Sequence, residues 1–115
     1  MQTPTELAPG NWGGQHIGLE VRADGAALEF DCAHGEIKGR IALDRLGRFR
    51  AAGGYVAERG GPVRSGGEEK SQAVIYSGQI RGERMTLTIL DEKTQKRIGR
   101  FTLRRGEEAF IVKCK

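Results

Sequence analysis

The 115-residue chain has only 3 prolines and 2 cysteines, and it has no apolar run long enough to cross a membrane. Its first residues carry neither the basic region nor the apolar core of a signal peptide. A cytosolic chain and a mature exported chain without its leader would both begin in this way. The length suits one domain with a modest core.

Motifs for catalysis and for cofactor binding are also lacking. The sequence contains no G-x-S-x-G, no C-x-x-C and no zinc-ligand spacing. His16 and His34 lie near Glu29, Asp31 and Cys32 in the sequence, but Asp31 and Cys32 would point to opposite faces of a strand. We therefore expect no enzyme activity, no cofactor and no metal site.

Aromatic residues make up only 6% of the chain, and the net charge is a mild +4. Binding to single-stranded nucleic acid commonly uses exposed aromatic side chains among basic ones. We expect the few aromatic residues here to lie in the core, so nucleic acid is not an expected partner; Leu46–Arg50 would be the patch for it. A small positive excess permits an anionic partner without requiring one.

Glycine is abundant, with 18 residues, and apolar residues alternate regularly between the glycines. This pattern is typical of strands joined by tight turns. Residues 1–9 are predicted to be a flexible tail before a single domain of residues 10–115, and residues 59–71 a long loop. The predicted strands are residues 12–22, 26–33, 36–44, 48–58, 72–81, 84–90, 97–104 and 108–115.

Short connections between these segments predict an all-β fold, an eight-stranded antiparallel up-and-down barrel in which no strand edge is left open. In such a meander Trp12, Cys32 and Cys114 would share one end. We predict a Cys32–Cys114 disulfide and hence an exported protein, periplasmic or secreted. The alternative is two small buried thiols in a cytoplasmic protein.

The turns at the opposite end of the predicted barrel are rich in arginine. They would form a rim that attracts anions, or else a set of strand ends paired with carboxylates. Large apolar residues are numerous enough to fill the interior, although a small ligand could contact Tyr55 and Tyr76 there. The candidate rim residues are Arg22, Arg48, Arg81, Arg84 and Arg104.

Gly10, Asn11 and Trp12 open the first predicted strand as a G-x-W motif. With eight meander strands, this resembles the calycin barrels of lipocalins and avidins. The resemblance implies that Trp12 is a structural plug at one end of the barrel. It also implies that a basic side chain from the last strand, or just after it, packs on the indole ring, with Lys113 as our candidate.

Two narrower resemblances concern bacterial periplasmic inhibitors. Residues 1–9 resemble the projecting N-terminal segment of the barrel-shaped metalloprotease inhibitors. The sequence Phe30-Asp31-Cys32 with a following glycine, and the near-terminal Cys114, resemble the C-type lysozyme inhibitors. A positively charged chain is, however, a poor partner for a positively charged lysozyme.

The sequence thus predicts a non-enzymatic binding protein for a small apolar, amphipathic or anionic ligand, held inside the barrel or at its arginine rim. The alternative is a secreted inhibitor or interaction module that acts through its loops or N-terminal tail. A void among Tyr55, Tyr76 and Met85 would favour the first hypothesis. A packed interior with an ordered, projecting tail would favour the second.

Overall fold

The structure, a computed structural model, describes residues 6–57 and 71–112. These residues form eight strands and no helix. The described part of the chain therefore contains no helix long and apolar enough to cross a bilayer. Neighbours in the chain pair antiparallel, and β1 pairs with β8 to close the barrel, which confirms the predicted all-β meander. The strands are β1 (Gly10–Gly14), β2 (Ile17–Arg22), β3 (Gly25–Phe30), β4 (Ala33–Lys38), β5 (Arg48–Ala57), β6 (Gln72–Arg81), β7 (Arg84–Asp91) and β8 (Arg97–Arg105).

Two predicted strands are wrong and two are displaced, although the number of strands is right. The strands predicted at residues 26–33 and 36–44 are β3 and β4, and the chain turns between them at Asp31 and Cys32. The first predicted strand, residues 12–22, is a hairpin of β1 and β2 that turns at Gln15 and His16. His16 adopts a positive φ of 69°, as a tight turn requires. The last predicted strand, residues 108–115, is not a barrel strand in its described part, because β8 already pairs with β1.

Residues 107–112 instead lie along the outside of β1 and β2, and we call them the C-terminal strap. The Phe110 N–H donates to the Gly14 carbonyl at 3.0 Å, and the His16 N–H donates to the Phe110 carbonyl at 2.8 Å. A Cβ atom at Gly18 would stand 2.8 Å from the Ala109 Cβ, and one at Gly13 would collide with the Glu107 carbonyl. The strap can therefore approach closely because β1 and β2 carry glycine there.

The hairpin changes where the chain enters the barrel. Gly10 pairs with Val21, so β1 begins at the end that holds the Gly82 and Glu83 turn. We call this the arginine end, and the end with the Asp31 and Cys32 turn the cysteine end. The prediction that Trp12 shares an end with Cys32 is wrong, because Trp12 pairs with Arg105 at the last residue of β8.

Leu7 and Ile41 cover the arginine end of the barrel. The Leu7 N–H donates to the Ile41 carbonyl at 2.9 Å, and both side chains are buried. Glu6 and Ala42 form an isolated bridge beside them. The packed core therefore includes Leu7, within the predicted tail of residues 1–9; residues 1–5 lie outside the described residues.

Side chains fill the interior around Tyr76. Its ring is fully buried, and its hydroxyl donates to the Gly54 carbonyl at 2.6 Å. A Cβ atom at Gly35 or Gly53 would collide with this tyrosine, so the two glycines make room for it. Other side chains with no exposed surface are Ile17, Val74, Met85, Ile89 and Leu103.

Three aromatic rings extend this core. Phe30 lies 5.4 Å from Tyr55 and 5.3 Å from Phe101 between ring centroids, in tilted contacts that suit aromatic pairs. The expectation that Phe110 and Val112 also point inward is wrong, since they are 64% and 76% exposed on the strap.

Trp12 is only 3% exposed, and the Arg105 guanidinium carbon lies 4.8 Å from its ring centroid. We expect Trp12→Ala to lower the free energy of unfolding by about 3–5 kcal/mol, because the substitution leaves a large cavity. Urea denaturation measures the change, with Leu46→Ala as a control at a side chain that is 60% exposed. A loss for Trp12→Ala no larger than that of the control would contradict the burial of the ring.

The disulfide stays a prediction, because Cys114 lies outside the described residues. The strand pattern had predicted that Cys32 points into the barrel. This is wrong, because Cys32 lies in an exposed turn. The strap nevertheless ends beside this turn, since the Val112 N–H donates to the Asp31 carboxylate at 3.0 Å. We expect mass spectrometry under non-reducing conditions to show a chain two hydrogens lighter than the reduced chain. The mass of two free thiols would exclude the disulfide.

Candidate anion-binding surface

The outward positions of β5 to β8 carry a set of arginines that we call the arginine surface. All are exposed, and they alternate with inward side chains such as Phe49, Met85 and Leu103. The members are Arg48 and Arg50 on β5, Arg81 on β6, Arg84 on β7, and Arg97, Arg100 and Arg104 on β8.

Three of these arginines form a row across neighbouring strands. Arg81 pairs with Arg84 across the turn between β6 and β7, and Arg84 pairs with Arg104 on β8. Like charges on directly opposite residues of a sheet repel each other and oppose folding. An anion bound across the row would relieve this repulsion.

The outward positions between the arginines carry no carboxylate in the described strands. The Arg48 Nε lies 2.9 Å from an Asp44 carboxylate oxygen, and Arg50 donates to the neutral Gln95 side chain at 3.2 Å. No other arginine of the surface has an ion-pair partner among the residues that the structure describes. The polar side chains that share the surface are Ser77, Gln79, Thr86, Thr88 and Thr102.

The opposite wall of the barrel carries the acidic side chains. Glu20, Glu29 and Glu36 point outward from β2, β3 and β4. A groove of about 510 Å³ between this wall and the strap is also lined by Glu107 and Glu108. Charge is therefore distributed unevenly around the barrel, because β2 to β4 combine these glutamates with Arg22 and Lys38, whereas β5 to β8 carry arginines without an outward carboxylate.

The structure brings together four of the five predicted rim residues, but on a wall and not around a mouth. Arg48, Arg81, Arg84 and Arg104 share the arginine surface. Arg22 lies apart on β2, where its Nε is 3.3 Å from the Glu20 carboxylate.

Three arginines of the surface were not among the predicted rim residues: Arg50, Arg97 and Arg100. The predicted rim included only arginines near the turns at one end of the barrel, whereas Arg50 and Arg100 lie inside their strands and Arg97 begins β8 at the cysteine end. The alternation of side chains along a strand could have identified Arg50 and Arg100, which are two residues from Arg48 and four from Arg104. It could not have identified Arg97, which pairs with the outward Leu90 only because the register shifts between Ile89 and Leu90.

Tyr55 and Tyr76, the predicted interior ligand contacts, serve as core residues. Burial raises the pKa of both phenols, and for Tyr76 this effect is large. The Tyr76 hydroxyl already has a partner in the Gly54 carbonyl.

Asp44 holds the loop that borders the arginine surface at the arginine end. One of its carboxylate oxygens accepts the N–H groups of Leu46 and Arg48, both at 2.9 Å, and the other faces the Arg48 guanidinium. These contacts, above all the Arg48 N–H, lower the pKa of Asp44. The loop is also fixed to β6, since the Ile80 N–H donates to the Gly47 carbonyl at 2.9 Å.

Asp91 has the same role at the other border. Its carboxylate accepts the N–H groups of Lys93 and Thr94, both at 2.9 Å, and the Thr94 N–H is the main cause of a lowered pKa for Asp91. This turn presents Gln95 to Arg50. The arginine surface is therefore framed by two turns that are each held by an aspartate.

At the cysteine end, His16 and Asp31 join the strap to the barrel. The His16 Nδ1 lies 2.5 Å from one Asp31 oxygen, while the other accepts the Val112 N–H. Within residues 6–57 and 71–112, side chains that bind metals form no group of three or more. Through these contacts, His16 and Asp31 hold the strap against the barrel.

Comparison with protein-family models, with curated proteins and with solved structures finds no match for this chain. The structure therefore shows a closed eight-stranded antiparallel barrel, and the resemblance to calycins stays a prediction. Lys113, the predicted partner of the tryptophan, lies outside the described residues. Arg105 comes from the last strand and also pairs with Glu83 at 3.1 Å.

The lowered pKa of Asp44 predicts a stability effect that depends on pH. Because the pKa is below its ordinary value of 3.8 in the folded state, the charge stabilises the fold above 3.8, and this contribution is lost as the pH falls through the folded value. Asp44→Asn should therefore unfold more easily than the native chain at neutral pH, with the difference shrinking below pH 3.8.

Urea denaturation at several pH values measures this difference. Asp24→Asn is the matched control, because Asp24 also lies in a turn at the arginine end and is exposed. A difference between Asp44→Asn and the native chain that stays constant down to acid pH would show that the charge of Asp44 does not stabilise the loop.

Proposed function

We propose that this protein is a non-enzymatic binding protein whose arginine surface recognises an anionic partner. The observation that carries the proposal is the composition of one wall. The outward positions of β5 to β8 hold seven arginines and, among the described residues, no carboxylate. A solvated surface without such a role usually mixes charges of both signs.

Six of the seven arginines are available for a ligand without the loss of an existing ion pair in the described residues. Only Arg48 pairs with a carboxylate in the described residues, through Asp44. A guanidinium group donates two parallel hydrogen bonds to a phosphate, sulfate or carboxylate, and this geometry favours arginine over lysine at anion sites. The field of the whole wall would also speed the approach of an anion.

The outer wall is a better candidate than the barrel interior. Inside the barrel, the side chains of Tyr76, Met85 and Leu103 have no exposed surface. Leu7 and Ile41 cover the arginine end. The alternative, an inhibitor that acts through its tail or its long loop, concerns residues 1–9 and 59–71. Of these, only residues 6–9 and Ser71 are described, so this alternative stays a prediction, and so does export.

A pair of double variants with the same change in net charge tests the proposal. Arg84→Gln with Arg104→Gln removes two charges from the arginine surface, and Arg22→Gln with Lys38→Gln removes two from the opposite wall. We expect the first double variant to elute from a sulfonate resin at clearly lower salt than the native chain. The second should elute close to the native chain, because its cations lie beside Glu20 and Glu36.

Equal shifts for the two double variants would mean that the resin senses net charge alone, and the proposal would be wrong. Circular dichroism and a urea unfolding curve show whether each variant is folded. All four positions are exposed, so we expect little loss of stability.

A further inference from the structure

We infer that the anionic partner is single-stranded nucleic acid, bound through its phosphates along the arginine surface. This inference rests on the proposed function and adds the class of the ligand. It follows from how the arginines are arranged, from the curvature of the wall and from the side chains that lie between them.

The arginines border a shallow polar strip. Arg48 and Arg50 lie on one side, on β5, and Arg97, Arg100 and Arg104 lie on the other, on β8. The two strands between them, β6 and β7, place the backbones of β5 and β8 about 14 Å apart, from a strand spacing of ~4.8 Å. The row at the arginine end completes the border. A strip of this width accommodates one extended chain.

Nearest the row, the floor of the strip consists of side chains that can form hydrogen bonds, and the half-buried pair Ile75 and Leu90 follows toward the cysteine end. Ser77 pairs with Thr88, and Gln79 pairs with Thr86, in the outward registers of β6 and β7. Hydroxyl and amide groups of this kind are frequent partners of phosphate oxygens and of the sugar, together with arginine. An anionic chain can thus approach the sheet closely and still find donors between the arginines.

The spacing along each strand favours a chain with one charge at a regular interval. Outward side chains of one strand recur at about 6.7 Å, which is comparable to the distance between successive phosphates of an extended strand. Arg48 and Arg50 lie at this interval on β5, and Arg100 and Arg104 lie at twice this interval on β8, with Thr102 between them. A regular phosphodiester backbone matches this array better than a polymer whose charges are irregular.

The curvature of the wall favours a flexible ligand. The arginines follow the outside of a closed barrel, so they do not lie in one plane. A duplex, with a persistence length of about 50 nm, or a flat bilayer would contact only a narrow band of such a wall. The exposed large apolar residues, Leu46, Phe110 and Val112, lie outside β5 to β8, so the arginine surface has no such side chain to insert into a bilayer.

Recognition would not depend on base sequence. The described aromatic residues of β5 to β8, which are Phe49, Tyr55, Tyr76 and Phe101, belong to the core or pack against it. Nucleic acid was not an expected partner because its single strands commonly bind to exposed aromatic side chains. Contacts to phosphates do not require them, and they make binding strongly dependent on salt.

Fluorescence anisotropy with a labelled oligothymidylate long enough to cross the surface tests the inference. The logarithm of the binding constant should fall linearly with the logarithm of the salt concentration, with a slope of about −0.7 per phosphate neutralised. Arg84→Gln with Arg104→Gln should reduce the magnitude of the slope by about 1.4, for two lost contacts. Arg22→Gln with Lys38→Gln should leave the slope unchanged, and a mixed-sequence oligonucleotide should bind as the oligothymidylate does.

Competition with other anions separates this inference from the proposed function. Heparin, a duplex of the same length, vesicles that contain phosphatidylglycerol, and inorganic phosphate serve as competitors. If any of them binds more tightly than the oligothymidylate and shows the same dependence on Arg84 and Arg104, the surface is an anion site but the inference of single-stranded nucleic acid is wrong. If no anion binds and the two double variants elute together from the resin, the proposed function fails as well.

Discussion

The register of β7 between β6 and β8 determines both the core and the arginine surface. It places Met85, Leu87 and Ile89 inside, and Arg84, Thr86 and Thr88 outside. Because side chains alternate with a period of two, a slip by one residue would exchange the two sets. The apolar side chains oppose such a slip, since burying each one stabilises the fold by about 1.5–3 kcal/mol. The same constraint therefore brings like charges together on the other face.

The core makes the crowding of arginines tolerable. Tyr76 and its glycine neighbours fill the barrel tightly, and the turns held by Asp44 and Asp91 fix both borders of the sheet. Repulsion within the row of Arg81, Arg84 and Arg104 is spread over exposed side chains that salt screens. A surface of this kind costs stability in the absence of a ligand, and this is why its composition points to binding and not to structure.

Alternation of apolar residues was sufficient to predict the barrel and most of its strands. It was not sufficient at either end of the chain. Residues 12–22 were predicted as one long strand, although the chain turns directly after Gly14. Phe110 and Val112 alternate as in a strand, but once β1 and β8 pair, the barrel has no free edge for that segment. The predicted location of Trp12 was also wrong, because it assumed that residues 12–22 run in one direction as a single strand.

The candidate site was predicted in part, for a related reason. Arg48, Arg81, Arg84 and Arg104 lie near turns, and turn positions are easily recognised in a sequence. Arg100 lies within β8, and it joins the surface only through its pairing with Thr88. A register of this kind depends on contacts between distant parts of the chain. The uneven distribution of charge likewise becomes visible only when the strands are placed around the barrel.

The strap has a consequence for how the barrel opens. β1 and β8 pair at only two positions, Trp12 with Arg105 and Gly13 with Arg104, so this junction is the seam of the barrel. The strap begins directly after β8 and is fastened to Gly14 and His16, on the far side of that seam. Separation of β1 from β8 would therefore also require the strap to detach. Because the two strands are distant in sequence, their junction closes the longest loop among the strand pairs of the barrel, and the strap holds the first strand in place there.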